Sequence, residues 1–309
     1  MKTHNLFKFA VILLAVAGML FSGCRKDDDD QTDTSGLSQT KRDQMMLAAA
    51  EDMATNDANK ILGGSGSKAM LWVPCNATLD SSFVIADTIT YIVSYNGLNC
   101  EGTYNRVGTV EIHKAVNTHW VDAGAVVYVK YINFKITRVT DQRWVIVNGT
   151  KRYTNESGGL VALLGNPYTS IVRSVSGTLS ATFDDNSTRN WSISRRKTWT
   201  GVSGSLRMSV EGLGSADGYT NLESWGVNRQ GNNYYNSVTT PVVFKESCSW
   251  DPCSGGGIVS IPASDITATV SYGYDSNGNV VDPNGTSCPT HYKVDWTKGN
   301  NSGTFLLAL

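Results

Sequence analysis

The amino-acid sequence predicts an all-β protein with one helix near its N-terminus. From residue 67 to the C-terminus, apolar and polar residues alternate with the period of two that is typical of half-buried strands. Turn-forming dipeptides interrupt the alternation at short intervals, and 30 glycines with only 17% charged residues favour turns and strands over helices. We therefore expect antiparallel strands, arranged either as sandwiches or as one extended meander.

The single helix is predicted between Asp43 and Leu62. Its apolar residues recur at spacings of three to four, and Gly63-Gly64 supplies a C-terminal stop. Three of these residues are methionines, which in other contexts form adaptable binding faces. The spacing favours the other interpretation, in which the stripe packs against the body of the protein: Met45, Met46, Ala49, Met53 and Ala54.

Several strands and two hairpins are predicted within the β region. In 129–137, Ile132, Phe134 and Ile136 alternate with polar residues, which indicates a strand buried on one side. Asn148-Gly149 lies between the strand-like stretches 144–147 and 150–153 and predicts a type I′ hairpin turn. A second hairpin is expected at 178–194, with its turn at 184–187. Further strands are predicted at 205–210, 218–228, 234–238 and 242–246.

The β region is predicted to consist of two related units. Residues 87–95 and 265–272 are similar strands, and each has a cysteine before it and leads to another. This pattern indicates two diverged copies of a Cys-strand-turn-strand-Cys unit. We place the first unit at 67–170 and the second at 171–309, with the boundary within 158–175, and assign 43–66 to the helix and a linker.

The N-terminus has the features of a lipoprotein leader. Lys2 and Lys8 form a basic start, the apolar run that follows is too short to span a bilayer, and Phe21-Ser22-Gly23-Cys24 ends it with small residues before a cysteine. This resembles the lipobox of bacterial lipoprotein precursors. The resemblance implies a signal peptide at 1–23, removal of that peptide, and lipid attachment to Cys24 that anchors the chain to the outer membrane.

The residues after Cys24 resemble an export signal. Residues 25–30 read Arg-Lys-Asp-Asp-Asp-Asp, which is similar to the block that directs Bacteroidota lipoproteins to the cell surface. We expect 24–42 to be a solvated acidic tether. Residues 43–309 are also similar to a group of all-β Bacteroidota lipoproteins with loose motifs, which carries no activity that could be transferred.

Five cysteines remain once Cys24 is assigned to lipid. An envelope location permits disulfides, and the spacing indicates one local bridge in each half of the β region. We expect Cys75 to pair with Cys100, and either Cys248 or Cys253 to pair with Cys288, leaving one thiol free. No Cys-x-x-Cys pair occurs and the histidines are not grouped with the thiols, so we expect no metal.

The charge balance argues against nucleic acid as a partner. Without the leader the chain holds 24 basic and 27 acidic residues, a net charge of about −3. Such a chain has no strong field for polyanions. The run Arg195-Arg196-Lys197 is short, and alternation places only Arg195 and Lys197 on one side of a strand. We interpret the run as a solvated edge that prevents strand-to-strand aggregation.

The aromatic residues are the feature that most favours ligand contact. Aromatic faces stack on sugar rings, so tryptophans on a sheet could form a platform for a polysaccharide. The alternative is that they fill the core or make cross-strand pairs. Of the eight tryptophans, three are the candidates for ligand contact: Trp191, Trp199 and Trp225.

No motif in the sequence indicates catalysis or a cofactor. No nucleophile elbow, zinc-protease helix or phosphate-binding glycine loop is present. Residues 275–279 resemble the opening of a calcium loop, but the pattern fails after it, and an ordinary Asn-Gly turn is preferred. The scattered carboxylates that would suit a glycosidase are Glu101, Glu111, Glu156, Glu211, Glu223 and Glu246.

Asp87-Thr88-Ile89 matches the three-residue acceptor for O-glycosylation in Bacteroidota envelope proteins, but three residues are a weak signal and an unmodified turn is the preferred interpretation. Taken together, the residues and resemblances favour a surface-anchored protein that binds a glycan or an envelope protein without chemistry of its own. The alternatives are a glycan-cleaving or envelope-remodelling enzyme and a structural envelope component.

Overall fold

The computed structural model describes residues 35–63, 73–85 and 87–309. It contains one α-helix, α1 at Ser35–Gly63, followed by strands. The predicted signal peptide, the lipid-attachment residue Cys24 and the acidic block at 25–30 lie outside the described residues. Within the described part of the chain, no helix is long and apolar enough to cross a membrane.

The described strands form one antiparallel sheet, which confirms the predicted all-β class. Thirteen strands follow in the order β1-β2-β3-β4-β5-β6-β7-β10-β11-β12-β13-β14-β15, while β8 pairs with β7 and β11, and β9 pairs with β10. Of the two arrangements expected, this is the extended meander. The strands are β1 Ala77–Ile85, β2 Thr88–Leu98, β3 Tyr104–Ala115, β4 Ala125–Arg138, β5 Trp144–Asn155, β6 Ser170–Phe183, β7 Thr188–Thr200, β8 Arg207–Gly212, β9 Gly214–Ala216, β10 Tyr219–Val227, β11 Asn233–Lys245, β12 Pro252–Ile261, β13 Ile266–Tyr274, β14 His291–Lys298 and β15 Asn301–Ala308.

The sheet continues across the predicted boundary between two β units. Residues 145–155 of β5 pair without interruption with residues 173–183 of β6. The predicted boundary at 170 therefore falls between two neighbouring strands of one sheet.

The helix begins at Ser35, earlier than the predicted Asp43, so residues 35–42 are helical rather than part of the tether. Their polarity favoured a solvated tether, but residues such as Gln39, Lys41 and Arg42 are also good helix formers. Of the predicted stripe, Met46 and Ala54 are buried, and Ala49 and Met53 are partly buried against the core. The other buried apolar residues of α1 are Leu47, Ala50, Ala58, Ile61 and Leu62.

A buried ion cluster holds the middle of α1 on the sheet. The Glu51 carboxylate forms an ion pair with Lys151 of β5 and lies 3.4 Å from an Arg195 nitrogen of β7. Trp191 donates its indole N–H to the same carboxylate over 3.3 Å. Glu51 is only 5% exposed and Lys151 only 1%. Both charges are thus removed from water and depend on each other for stabilisation.

Two further ion pairs hold the ends of α1. Near the N-terminal end, Asp43 pairs with Arg229 over 2.6 Å, just beyond β10. Near the C-terminal end, Asp57 pairs with Arg106 of β3 over 2.9 Å and accepts a hydrogen bond from the Tyr95 hydroxyl.

The three ion pairs show that α1 lies across the strands. From residue 43 to residue 57 the axis advances about 21 Å at 1.5 Å per residue. The five strand spacings from β10 to β3, through β7, β6, β5 and β4, span about 24 Å. The two lengths agree, so one face of the helix covers the strands from β3 to β10.

Asn148-Gly149 is not a hairpin turn, and that prediction is wrong. β5 runs from Trp144 to Asn155 without a turn and pairs with β4 and β6 along its length. The Asn148 side chain instead accepts the backbone N–H of Asn133 over 2.7 Å, at a register shift between β4 and β5.

Gly149 lies inside the strand because its neighbours approach too closely for a side chain. Its φ is 123°, and a Cβ there would lie 2.5 Å from the Thr178 carbonyl oxygen and 2.9 Å from Leu179 Cδ2. Glycine in a strand interior often marks such a close approach. The Asn-Gly pair thus marks a glycine at positive φ, but this glycine lies at a bulge instead of a turn.

The second predicted hairpin and both predicted disulfides are confirmed. β6 and β7 pair from Ser170 to Thr182, and residues 184–187 form the connecting turn.

Cys75 bonds to Cys100, and Cys248 bonds to Cys288. Cys253 is the free thiol that the sequence left unassigned, and it is buried. Burial raises the pKa of its thiol.

The role of Gly149 is tested by comparison with a glycine that has positive φ and free space. Gly218 has a φ of 84°, and a Cβ added to it would have no neighbouring atom within 4 Å. We expect Gly218→Ala to lower the unfolding free energy by about 1–2 kcal/mol through its backbone conformation. Gly149→Ala should cost about 1–3 kcal/mol more, because it also overpacks the sheet. Urea unfolding of both variants measures the difference, and equal losses would contradict the close approach.

The Glu51 cluster is tested by removing one charge at constant shape. Glu51→Gln leaves Lys151 buried without its counter-charge, so we expect a loss of about 3–5 kcal/mol in unfolding free energy. Glu101→Gln is the matched control, because Glu101 is exposed, and it should change stability by less than about 0.5 kcal/mol. Urea unfolding of the chain from Arg25 to Leu309 measures both. Similar stability of the two variants would contradict the cluster's role.

Candidate functional site

The sheet has an inner face that carries α1 and an outer face turned away from it. In β7, Trp191 and Arg195 reach Glu51 of the helix and define the inner face. Successive strand residues point to opposite faces, so Ser192 and Ser194 belong to the outer face. Residues that pair across neighbouring strands lie on the same face of the sheet, so the register assigns the residues of the other strands to the inner or the outer face.

One row of the outer face crosses twelve strands in register, and we call it the outer row. Each member pairs with the next across the neighbouring strand, from β2 to β7 and on from β10 to β15. Its members are Ile92, Glu111, Lys130, Thr150, Thr178, Ser192, Trp225, Tyr235, Ser260, Thr267, Thr297 and Ser302.

An aromatic cluster lies at the centre of the outer row. Trp225 and Tyr235 pair across β10 and β11, and Tyr219 stacks on Tyr235 with ring centroids 4.1 Å apart and planes 10° apart. Tyr235 is buried and its hydroxyl donates a hydrogen bond to the Asp217 carboxylate, whereas Tyr219 and Trp225 remain partly exposed. Gly214 of β9 packs against the Trp225 indole, which fixes the ring in place.

Hydroxyl groups and the absence of charge characterise the row around this cluster. Thr178 and Ser192 are hydrogen-bonded to each other over 3.0 Å beside Trp225. The row's two charges, Glu111 and Lys130, pair with each other over 3.1 Å at the far side. From Thr150 to Ser302 the row is uncharged. Tyr235 and Ser260 are buried, and the other members of this part of the row offer aromatic surface and neutral hydrogen-bonding groups along a line that crosses the strands.

The other two tryptophans proposed for ligand contact are buried on the inner face. Trp191 is 2% exposed and bonds to Glu51. Trp199 is 8% exposed, and its ring centroid lies 5.6 Å from the Arg173 guanidinium. The same guanidinium lies 5.1 Å from the Trp120 ring. Burial lowers the pKa of Arg173 to about 10. Neither Trp191 nor Trp199 presents a ring to the surface, so ligand contact among the three candidates depends on Trp225.

The run 195–197 is not a solvated edge, and that interpretation is wrong. β7 is an interior strand that pairs with β6 on one side and with β8 and β10 on the other. Arg195 points inward, with nitrogens 3.4 Å from Glu51 and 3.3 Å from Glu223. The Arg195 guanidinium therefore supplies positive charge to the buried ion cluster around Glu51.

The scattered glutamates have different surroundings. Glu223 is buried beside Arg195, and burial raises the pKa of its carboxyl although Arg195 opposes the change. On the outer face, Glu156 and Glu211 lie 3.0 and 3.1 Å from Arg196. Of the others, Glu111 pairs with Lys130, Glu246 accepts the backbone N–H groups of Gly204 and Leu206, and Glu101 is exposed.

The loop at 275–279 is a turn held by its own aspartate. The Asp275 carboxylate accepts the backbone N–H groups of Asn277 and Asn279, and these bonds lower its pKa. Across the described residues, no group of three or more His, Cys, Asp or Glu side chains could hold a metal ion. Thr88, the candidate glycosylation residue, begins β2 directly after Asp87, which has a φ of 64°.

A cleft that the sequence did not predict lies where the N-terminal part of α1 meets the tips of three hairpins. Asp43 and Arg229 line it as an ion pair, and Arg229 also pairs with Asp185 and stacks on Phe183 at 3.6 Å. Its charged groups largely neutralise each other. The lining residues are Asp43, Met46, Arg138, Arg143, Trp144, Phe183, Asp184 and Arg229.

The acidic residues of α1 were the largest omission of the sequence-based prediction. Asp43, Leu47, Ala50, Ala54, Asp57 and Ile61 follow a spacing of alternately four and three, so two aspartates occupy positions of the apolar stripe. Acidic residues at such positions are the signal that indicates buried partners on the opposing sheet.

No protein-family model, no curated protein and no solved structure matches this chain. The function therefore has to follow from the geometry and chemistry of its own residues.

Proposed function

We propose that this chain is a lipid-anchored surface protein that binds an extended, uncharged glycan on its outer row without cleaving it. The observation that carries the proposal is the combination of a partly exposed aromatic cluster with an uncharged, hydroxyl-bearing row in register on both sides of it. Sugar rings stack on aromatic faces, and their hydroxyl groups exchange hydrogen bonds with Ser, Thr and Tyr.

The geometry of the row suits a linear chain of sugars. Neighbouring strands lie about 4.8 Å apart, which is close to the length of one hexose unit in an extended polysaccharide. A glycan running across the strands would thus meet one side chain of the row per sugar. The segment from Thr178 through Ser192 and Trp225 to Tyr235 is the centre of the proposed site.

The charges of the outer face favour an uncharged ligand over an acidic one. Lys130 is paired with Glu111, Arg196 with Glu156 and Glu211, and Lys293 with Asp295. An acidic polysaccharide would have to compete with these carboxylates for Lys130, Arg196 and Lys293. The near-neutral net charge of the whole chain supports the same preference.

Binding without cleavage is supported by the surroundings of the carboxylates. Glycoside hydrolysis uses a general acid and a second carboxylate that both face the scissile bond. Glu223 lies on the inner face under α1, opposite the proposed site. On the outer face, Glu156 and Glu211 are both engaged in ion pairs with Arg196.

The outer row is tested by placing a charge beside the aromatic cluster. Thr178 is exposed, so Thr178→Glu should fold normally and weaken binding of a neutral linear polysaccharide by at least about tenfold, because a carboxylate then lies where the sugar ring would sit. Thr188→Glu is the matched control. It adds the same charge to the outer face at the start of β7, and it should bind like the unmodified chain.

The measurement is saturation binding of the chain from Arg25 to Leu309 to a panel of neutral and acidic polysaccharides, with reducing ends assayed in the same samples. Saturable binding to a neutral member without products is the expected result. Released products would favour the enzyme alternative. Preferential binding to acidic members would contradict the preference for an uncharged ligand. The absence of binding to every member would contradict glycan binding.

The anchor is tested separately by membrane fractionation of cells that make the full-length chain. Cys24→Ser should release unlipidated precursor from the membrane fraction, because no thiol remains at the predicted attachment site. Cys253→Ser removes the other cysteine without a disulfide partner and should leave the chain in the membrane fraction. Retention of the Cys24→Ser chain at the unmodified level would contradict the lipid anchor.

A further inference from the structure

The last strand of the sheet, β15, has a regular and unprotected free edge. It pairs with β14 over eight consecutive residue pairs without a register shift, and within the described chain no other strand pairs with it. The strand reads Asn-Ser-Gly-Thr-Phe-Leu-Leu-Ala and contains no charged residue and no proline. Charges, prolines and bulges are the devices that normally keep an edge strand from pairing with another chain.

The opposite edge of the sheet differs in each of these respects. β1 pairs with β2 through a register shift between Ser81 and Phe83, and it carries the charged residue Asp80. A bulge twists an edge and interrupts its row of free N–H groups. The sheet therefore has one edge with protective features and one without.

The hairpin between β14 and β15 determines which backbone groups of β15 point outward. Gly299-Asn300 is a two-residue loop with Gly299 at a φ of 57°, so Lys298 and Asn301 form a hydrogen-bonded pair. In antiparallel pairing, hydrogen-bonded and non-hydrogen-bonded pairs alternate. Ser302, Thr304 and Leu306 thus direct their N–H and C=O groups away from β14, toward the free edge.

Two aromatic residues lie at this edge on the inner face. Trp296 of β14 covers Gly303, where a Cβ would lie 2.8 Å from the indole nitrogen, and it stacks on Phe305 of β15 with ring centroids 6.0 Å apart. Both rings are only half-buried. The edge therefore offers apolar surface next to its free backbone groups.

We propose that β15 pairs with β15 of a second copy of this chain, antiparallel and about a two-fold axis normal to the sheet. This axis keeps the two inner faces on the same side, so that Trp296 and Phe305 of one copy lie alongside the same rings of the other. Pairing satisfies the outward N–H and C=O groups of both edges and removes the aromatic surface from water.

A second copy fits this edge better than a charged partner strand. β15 has no charge to offer as a counter-ion, and an identical strand brings none, so the pairing creates neither repulsion nor an unmatched charge. A two-fold interface is also closed, which leaves the protected β1 edges at the two ends of the combined sheet. This inference does not depend on glycan binding.

The proposal is tested by sedimentation of the chain from Arg25 to Leu309 over a wide range of concentration. We expect a reversible monomer–dimer equilibrium, and slower hydrogen exchange at Ser302, Thr304 and Leu306 as the dimer forms. Thr304→Pro removes an outward N–H and the hydroxyl bond from Thr304 to Asp295 of β14, but no backbone bond to β14, so it should raise the dimer Kd by at least about tenfold.

Two further variants make the result interpretable. Thr304→Val keeps the backbone donor and the β-branched shape, and it should dimerise like the unmodified chain. Thr304→Lys keeps the backbone but places a charge at the edge, so it should weaken the dimer even if the proline variant does not fold. A chain that stays monomeric at every concentration, one that forms larger open assemblies, or a folded Thr304→Pro variant with an unchanged dimer would each overturn the proposal.

Discussion

The buried pairing of Glu51 with Lys151 and Arg195 is the interaction on which the rest of the fold depends. It joins the only α-helix of the described chain to β5 and β7, near the middle of the sheet. Because isolated buried charges are very unfavourable, the helix, β5 and β7 are stable only in this mutual arrangement. The pairs of Asp43 and Asp57 extend the same constraint to both ends of the helix, so the sheet has one face that is covered and one that is free.

Glycines and register shifts allow a single long sheet to fit this helix. Gly149 and Gly226 lie inside strands at positive φ, where the backbones of neighbouring strands leave no room for a Cβ. Register shifts in β4 and β10 accompany them. Bulges of this kind bend a strand and increase its twist. The side chains on the covered face pack against α1, while the outer row keeps its register across the free face.

The sequence predicted the parts of the fold that depend on local patterns. Alternation identified the strands, the turn at 184–187 had the expected polar residues, and spacing placed the two disulfides. The interpretation of Asn148-Gly149 failed because a glycine at positive φ serves a turn and a bulge equally well, and only the neighbouring strands distinguish them. Arg195 and the acidic residues of α1 were misjudged or missed because their partners are distant in sequence. For the site, Trp225 was identified, whereas burial of Trp191 and Trp199 was visible only in the assembled sheet.

The proposed function follows from the division of the sheet into a face that carries buried ion pairs and an outer face whose row is uncharged from Thr150 to Ser302. A direct measurement of the site is NMR titration of the chain with a neutral oligosaccharide that it binds, with the perturbed backbone amides mapped onto the strands. We expect the largest shifts to cluster on β6, β7, β10 and β11 around Thr178, Ser192 and Trp225. Shifts centred on the cleft beside Asp43 and Arg229 instead, with the outer row unperturbed, would contradict it.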